Sequence, residues 1–169
     1  MSEYRIGKNH LTYSVWLVPA YSDAKYYNQI IASLSKQYAA PKFAAHMTIY
    51  SKISSLGEAK KAVSGIKSKK IRAKTLGIGK SDYLWKTLFV KIKKDRHLVK
   101  IHQSLHDSLK NNYDFAPHLS LIYKKINTQT KRHIRNNLKI QKSVLFDSVV
   151  IIRSSRTVKN WKVVYRKKF

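Results

Sequence analysis

The chain has 169 residues, 43% of them hydrophobic, which is enough to fold as one compact domain without staples. It contains no cysteine, and this excludes disulfides, thiolate metal sites and a cysteine nucleophile. Thirty-five Lys and Arg against eight Asp and Glu leave a formal net charge of +27, which favours an anionic partner, nucleotide or nucleic acid first.

The lysines are scattered in pairs such as Lys60-Lys61, Lys93-Lys94 and Lys124-Lys125, so charge fixes the sign of the partner and not its identity. Met1-Ser2-Glu3-Tyr4-Arg5 lacks the apolar core of a signal peptide. The longest apolar run, Val15-Trp16-Leu17-Val18-Pro19-Ala20, is far too short to cross a bilayer. The expectation is a monomeric cytoplasmic protein that does not engage a membrane.

In chain order, Leu11 to Val18 is rich in β-branched and aromatic residues and predicts a strand, closed by Pro19. Ser22 or Asp23 suits an N-cap for a helix in which Ile30, Ile31 and Leu34 recur at helical spacing, until Pro41 forbids continuation. A strand follows, then a short helical pattern from Gly57 to Ile66. Two strand-like runs, Ile71 to Ile78 and Leu84 to Ile92, predict a hairpin joined by Gly79-Lys80-Ser81-Asp82. Asp95 opens a helix with an apolar stripe at Leu98, Ile101, Leu105 and Leu109, stopped by Asn111-Asn112. After another strand come a polar helix from Thr128 to Leu138, a β-branched strand from Ser143 to Ile152 and a last strand from Trp161 to Tyr165.

One phrase is written twice. Phe43-Ala44-Ala45-His46-Met47-Thr48-Ile49-Tyr50 returns as Phe115-Ala116-Pro117-His118-Leu119-Ser120-Leu121-Ile122. Side chains alternate faces along a strand, so His46 and Thr48 point one way while Met47 and Ile49 point to the core, and His118 and Ser120 are separated from Leu119 and Leu121 likewise. By the same parity Tyr50 faces the side of His46. Side by side, two such strands bring two imidazoles and two hydroxyls into one cleft, which suits acid and base chemistry on a phosphate ester. One imidazole would take a proton from the attacking group and the other would protonate the leaving oxygen, with the hydroxyls on the non-bridging oxygens. No metal or other cofactor is required.

Histidine two residues before Ser or Thr also occurs at His10/Thr12, His102/Ser104 and His106/Ser108. His102 and His106 lie on the helix opened by Asp95, where residues two apart do not share a face, and are expected on a solvated side. Their spacing of four lacks a third metal ligand. His10 and Thr12 lack the flanking phrase and are expected at a strand edge. A plain alternative for His46 and His118 is two half-buried strand histidines, but duplicated flanks and matched parity favour the shared cleft.

The phrases His46-Met47-Thr48-Ile49 and His118-Leu119-Ser120-Leu121 resemble the paired signatures of the two-histidine (2H) phosphoesterase superfamily. The chain is most similar to its cyclic phosphodiesterase branch, as the strand Tyr13 to Pro19, the extension to Tyr123 and Trp161 near the end also suggest. The resemblance implies an α+β fold spanning residues 1–169 as one domain of two pseudo-symmetric lobes. Two antiparallel sheets would face a central cleft, with helices outside.

It also implies metal-free hydrolysis of a 2′,3′-cyclic nucleotide or a related cyclic phosphate, or of 2′-5′ linkages. Catalytic roles fall to His46, His118, Thr48 and Ser120. Ser120 replaces the threonine often seen and keeps the hydroxyl. The family places Tyr123 at the phosphate, which strict alternation forbids unless the strand bends after Ser120. Tyr50 is expected near the phosphate too, and Tyr83 and Trp85 on the hairpin are candidates to stack a base. Two rival functions are an RNA-end processing enzyme or 2′-5′ RNA ligase acting on cyclic phosphate termini, and a noncatalytic RNA-binding module.

Overall fold

The computed structural model describes residues 11–169. The expectation for His10 lies outside the described residues. Thr12 opens the first strand, at the edge position expected of it.

Among the described residues, seven strands and four α-helices follow one another along the chain. Strand β1 (Thr12–Pro19) leads into helix α1 (Tyr21–Tyr38), strand β2 (Met47–Ile53) and helix α2 (Leu56–Ser64). Strands β3 (Ile71–Lys80) and β4 (Leu88–Ile92) form the hairpin, followed by α3 (Arg96–Leu109), β5 (His118–Ile122) and α4 (Thr128–Asn137). The long β6 (Ser143–Ser154) and β7 (Lys162–Lys168) end the chain.

Every ladder is antiparallel, in the order β2-β1-β6-β3-β4-β5, with β7 also paired to β6. Strand β3 belongs to both halves: residues 71–74 pair with β6, and beyond Thr75 it pairs with β4. The two expected sheets are therefore joined through one strand. Gly77, at φ 103°, sits where the β3–β4 register slips, a backbone conformation glycine adopts without penalty.

Helix α1 starts earlier than the expected cap. Its N-cap is Ala20, which provides no side-chain bond, and Asp23 is buried in the first turn, where its carboxylate accepts from the Leu145 amide at 2.7 Å. Asp23 thus ties the helix start to β6. Tyr27, Ile31 and Leu34 are buried beneath it, and the helix packs on β1 and β5, one strand from each half. Asp95 caps α3 as expected, accepting from the Leu98 amide at 3.0 Å, and the stripe Leu98, Ile101 and Leu105 is buried. One buried cluster runs through strands of both sheets and all four helices. Among the described residues no helix is long and apolar enough to cross a membrane.

Two expectations are corrected. Leu84–Lys86 is a 3-10 turn, not strand, so Trp85 sits on the β3–β4 connection. His102 and His106 are half-buried against β2, not on a solvated side: His102 Nδ1 is 3.0 Å from the Ile49 carbonyl, and His106 Nδ1 is 3.3 Å from the Tyr50 hydroxyl.

Candidate active site

The two motif strands lie at opposite ends of the strand order, and the bend through β3 brings them to one cleft. His46, Thr48, His118 and Ser120 all line it, around a cavity of about 970 Å³.

The two histidines are held alike. Nδ1 of His46 is 2.7 Å from the carbonyl of Ala44, and Nδ1 of His118 is 2.7 Å from the carbonyl of Ala116. A carbonyl only accepts, so each neutral ring carries its hydrogen on Nδ1 and has Nε2 as its acceptor. The repeated Phe-Ala-x-His phrase supplies that carbonyl in both copies.

Their surroundings differ. His46 is buried and stacks flat on Trp16, with ring centroids 3.4 Å apart and planes 9° from parallel. Burial drives its pKa down to about 4, the bond to Ala44 opposes this, and repulsion from His118 adds to it. His118 is half-buried, edge-on to Phe89 at 5.5 Å. Burial lowers its pKa also, the Ala116 carbonyl opposes, and the Lys86 ammonium adds to the lowering. Lys86 Nζ sits over the Phe89 ring, 4.6 Å from its centroid. Gly79 pairs directly with Phe89, and a Cβ there would meet the ring at 2.4 Å, so glycine is what lets Phe89 lie beside His118.

A β-bulge follows each motif hydroxyl. In β2, Thr48 pairs with Trp16 but Tyr50 pairs with Val15, leaving Ile49 as the extra residue. In β5, Ser120 pairs with Phe89 but Ile122 pairs with Leu88, leaving Leu121 extra. Each bulge reverses the parity beyond it. Tyr123 thereby turns into the cleft, which supplies the bend that alternation required. Tyr50 turns the other way: it is fully buried, with its hydroxyl between His106 and Asn111, and the expectation that it faces the cleft is overturned. Ser51 takes the cleft position instead and shares a 2.8 Å hydrogen bond with Ser14.

Tyr123 is nearly buried, stacked on Phe43 at 3.9 Å, with its hydroxyl 3.4 Å from His46 Nε2. Burial pushes its pKa up, so the phenol stays protonated and donates to that nitrogen. The hydroxyls of the two motifs are not equivalent. Ser120 donates to the Trp85 carbonyl at 3.0 Å, whereas Thr48 makes no side-chain hydrogen bond among the described residues. Trp85 and the exposed Tyr83 both line the cleft. Their connection is anchored from α4 by buried Lys131, whose ammonium donates to the Ser81 carbonyl at 2.8 Å and to Asp82 at 2.7 Å.

The sequence pattern did not single out Trp16, Ser14, Ser51, Lys86 or Arg156, all of which line the cleft, and it noted Trp161 without a place. Alternation of Thr12, Ser14 and Trp16 along β1 was the available signal for that wall. Among the described residues, the cleft lining holds no carboxylate and there is no cluster of three or more metal-ligating side chains.

Residues 11–169 match the family model described as cyclic phosphodiesterase-like protein. Among solved structures, Escherichia coli LigT complexed with 3′-AMP is similar at a TM-score of 0.62 and 12% identity, over 95% of this chain and 98% of that one. TT0787 of Thermus thermophilus is similar at 0.64 and 11%, over 93% and 97%. A structure described as a phosphoesterase is similar at 0.62 and 13%, over 95% and 98%. At such identities these likenesses bear on the fold. No curated protein sequence matches the chain.

Proposed function

The chain belongs to the cyclic phosphodiesterase-like family, and from that premise we propose that it hydrolyses a 2′,3′-cyclic nucleotide or related cyclic phosphate, with His46 as base and His118 as acid. Membership supports a phosphodiesterase or RNA-ligase-like role; the substrate and the residue roles are our reading. The observation that carries it is the matched pair of Nδ1–carbonyl bonds, 2.7 Å each, which makes Nε2 the acceptor on both rings lining one cleft.

His46, held neutral near pH 7 by burial, takes a proton from water at Nε2. The water oxygen bonds to phosphorus as the bond from phosphorus to the 3′ oxygen breaks. His118, the more open ring, gains a proton when an anionic phosphate enters and passes it to that 3′ oxygen. The product is a 2′-phosphate monoester with a free 3′ hydroxyl. Thr48 is ready to donate to a non-bridging oxygen, and Ser120 does so by rotating away from the Trp85 carbonyl. Tyr123 turns its hydroxyl hydrogen from His46 Nε2 to the same phosphate, which frees that nitrogen for the water, while Trp85 and Tyr83 stack the base. Charge neutralisation falls to imidazolium and to Lys86, and no metal takes part.

The test is turnover of 2′,3′-cyclic AMP in excess chelator, with products identified by phosphorus NMR. A single 2′-monoester is expected, and His46→Ala and His118→Ala should each slow it by about two to four orders of magnitude. Absence of turnover by the parent, or full activity in either variant, overturns the reading. Activity lost in chelator and restored by zinc removes its metal independence.

A further inference from the structure

We infer that the cleft-side face of the sheet formed by β1, β6, β7 and the first half of β3 is a track for single-stranded RNA whose 3′ end occupies the cleft. This rests on the cyclic phosphate reading and adds what lies beyond the terminal nucleotide.

The pairing register builds the track. Along one edge of β6, Ser143 pairs with Lys74, Leu145 with Arg72, Ser148 with Lys168 and Val150 with Arg166. Paired antiparallel residues share a face. Ile71, Ala73, Val144 and Phe146 fill the opposite face, against the main core, so the four cations stand on the cleft side, above the buried Ser148 and Val150. All four are exposed. Two are steered by hydroxyls of β6: Arg72 donates to Ser143 and Arg166 to Ser148, each at 3.3 Å.

The same face runs into the cleft. Val150 and Ile152 pack with Trp16, the indole that stacks on His46, and Trp161 closes that cluster at the rim. Trp161 is fixed there by its Nε1 donating to the Ser155 carbonyl at 2.7 Å, and Val163, 52% exposed, pairs with the buried Ile152. From Ser143 to Ile152 the strand spans about 30 Å at about 3.3 Å per residue.

A row of exposed cations on one sheet face, leading to aromatic side chains at the cleft, suits a polymer carrying one negative charge per unit and flat bases. The only carboxylate on these four strands is Asp147, at the β6 bulge. A free mononucleotide ends at the cleft and gains nothing from the row. RNA is the polymer that fits, because a 2′,3′-cyclic phosphate requires the 2′ oxygen and closes the 3′ end of a strand.

The test compares the parent with a track variant, Arg72→Gln, Arg166→Gln and Lys168→Gln together, and with a control variant carrying Lys60→Gln, Lys61→Gln and Lys100→Gln. The control lowers net charge equally, on exposed positions of the helices. Fluorescence anisotropy reads the affinity for an RNA of about a dozen nucleotides ending in a 2′-phosphate, at several salt concentrations. The track variant should bind about tenfold more weakly, and its log–log salt slope should be shallower by about 2, at about 0.7 per lost contact on a single strand. Its kcat/KM should fall for the same RNA ending in a cyclic phosphate and stay unchanged for 2′,3′-cyclic AMP. Equal losses in the two variants, or equal losses on both substrates, overturn the track. A parent that turns over neither substrate removes the cyclic phosphate reading, and the anisotropy comparison still decides the track.

Discussion

The hydroxyl of Tyr123 lies 3.4 Å from Nε2 of His46, so a residue carried by the second motif strand reaches the histidine of the first. The Ala44 carbonyl holds the hydrogen of that ring on Nδ1, which makes Nε2 the acceptor and the phenol the donor. Tyr123→Phe keeps the ring against Phe43 and removes only this donor. One hydrogen bond of this kind contributes about 1 kcal/mol, so kcat/KM should fall about fivefold with the unfolding midpoint nearly unchanged. A kinetic constant identical to that of the parent would take Tyr123 out of the mechanism.

The pH profile follows from the two lowered histidines. In the free enzyme His46, proposed as the base, loses its proton at about pH 4, and His118, proposed as the acid, loses its proton below the ordinary histidine value of 6.5. The bell in kcat/KM should therefore be centred in the acid range, each limb belonging to the pair. A bound phosphate anion favours both charged imidazoles, so the profile of kcat should lie to the alkaline side of it. Steady-state rates from pH 4 to 9 check this. A kcat/KM maximum above pH 7.5 would contradict it.

The motif hydroxyls should not behave as equals. Among the described residues the Thr48 hydroxyl has no side-chain hydrogen bond, whereas Ser120 donates to the Trp85 carbonyl. Thr48→Val should lower kcat by about two orders of magnitude, as loss of a transition-state donor does. Ser120→Ala should cost less in kcat but about 1 kcal/mol in stability, because it releases the connection carrying Trp85 and Tyr83. Urea denaturation beside steady-state kinetics separates the two. The reverse ranking in kcat would show that Ser120 rotates readily and is the principal phosphate donor.

The helical stripe of α3, its Asp95 cap and the alternation of His46 with Thr48 and of His118 with Ser120 were legible because each depends on local period alone. The bulges were not. An extra residue at Ile49 and at Leu121 is decided by partners far away in sequence, Trp16 and Val15 for one, Phe89 and Leu88 for the other. One device therefore defeated parity at Tyr50 and rescued it at Tyr123. The freed carbonyl of Ile49 also explains His102, whose Nδ1 lies 3.0 Å from it. A helix-face argument confined to α3 cannot see an acceptor on β2.

Acid should destabilise the fold through the same buried histidine. His46 has an unfolded value of 6.5 and a folded value of about 4. Between these the unfolded chain binds more protons than the folded one, so stability is intact above pH 6.5 and falls as pH drops toward 4. At about 1.36 kcal/mol per pH unit, that gap is on the order of 3 kcal/mol, and His118, shifted in the same direction, adds to it. His46→Gln keeps a side-chain donor for the Ala44 carbonyl but does not titrate. Its urea midpoint should sit below that of the parent at pH 7, and the gap should close as pH falls to 4.5, because only the parent carries the penalty of a neutral buried imidazole. Carboxylate titration is common to both proteins and cancels in the comparison. A gap that stays constant from pH 7 to pH 4.5 would mean that His46 is solvated enough to protonate in place, and with it would go the assignment of His46 as the base.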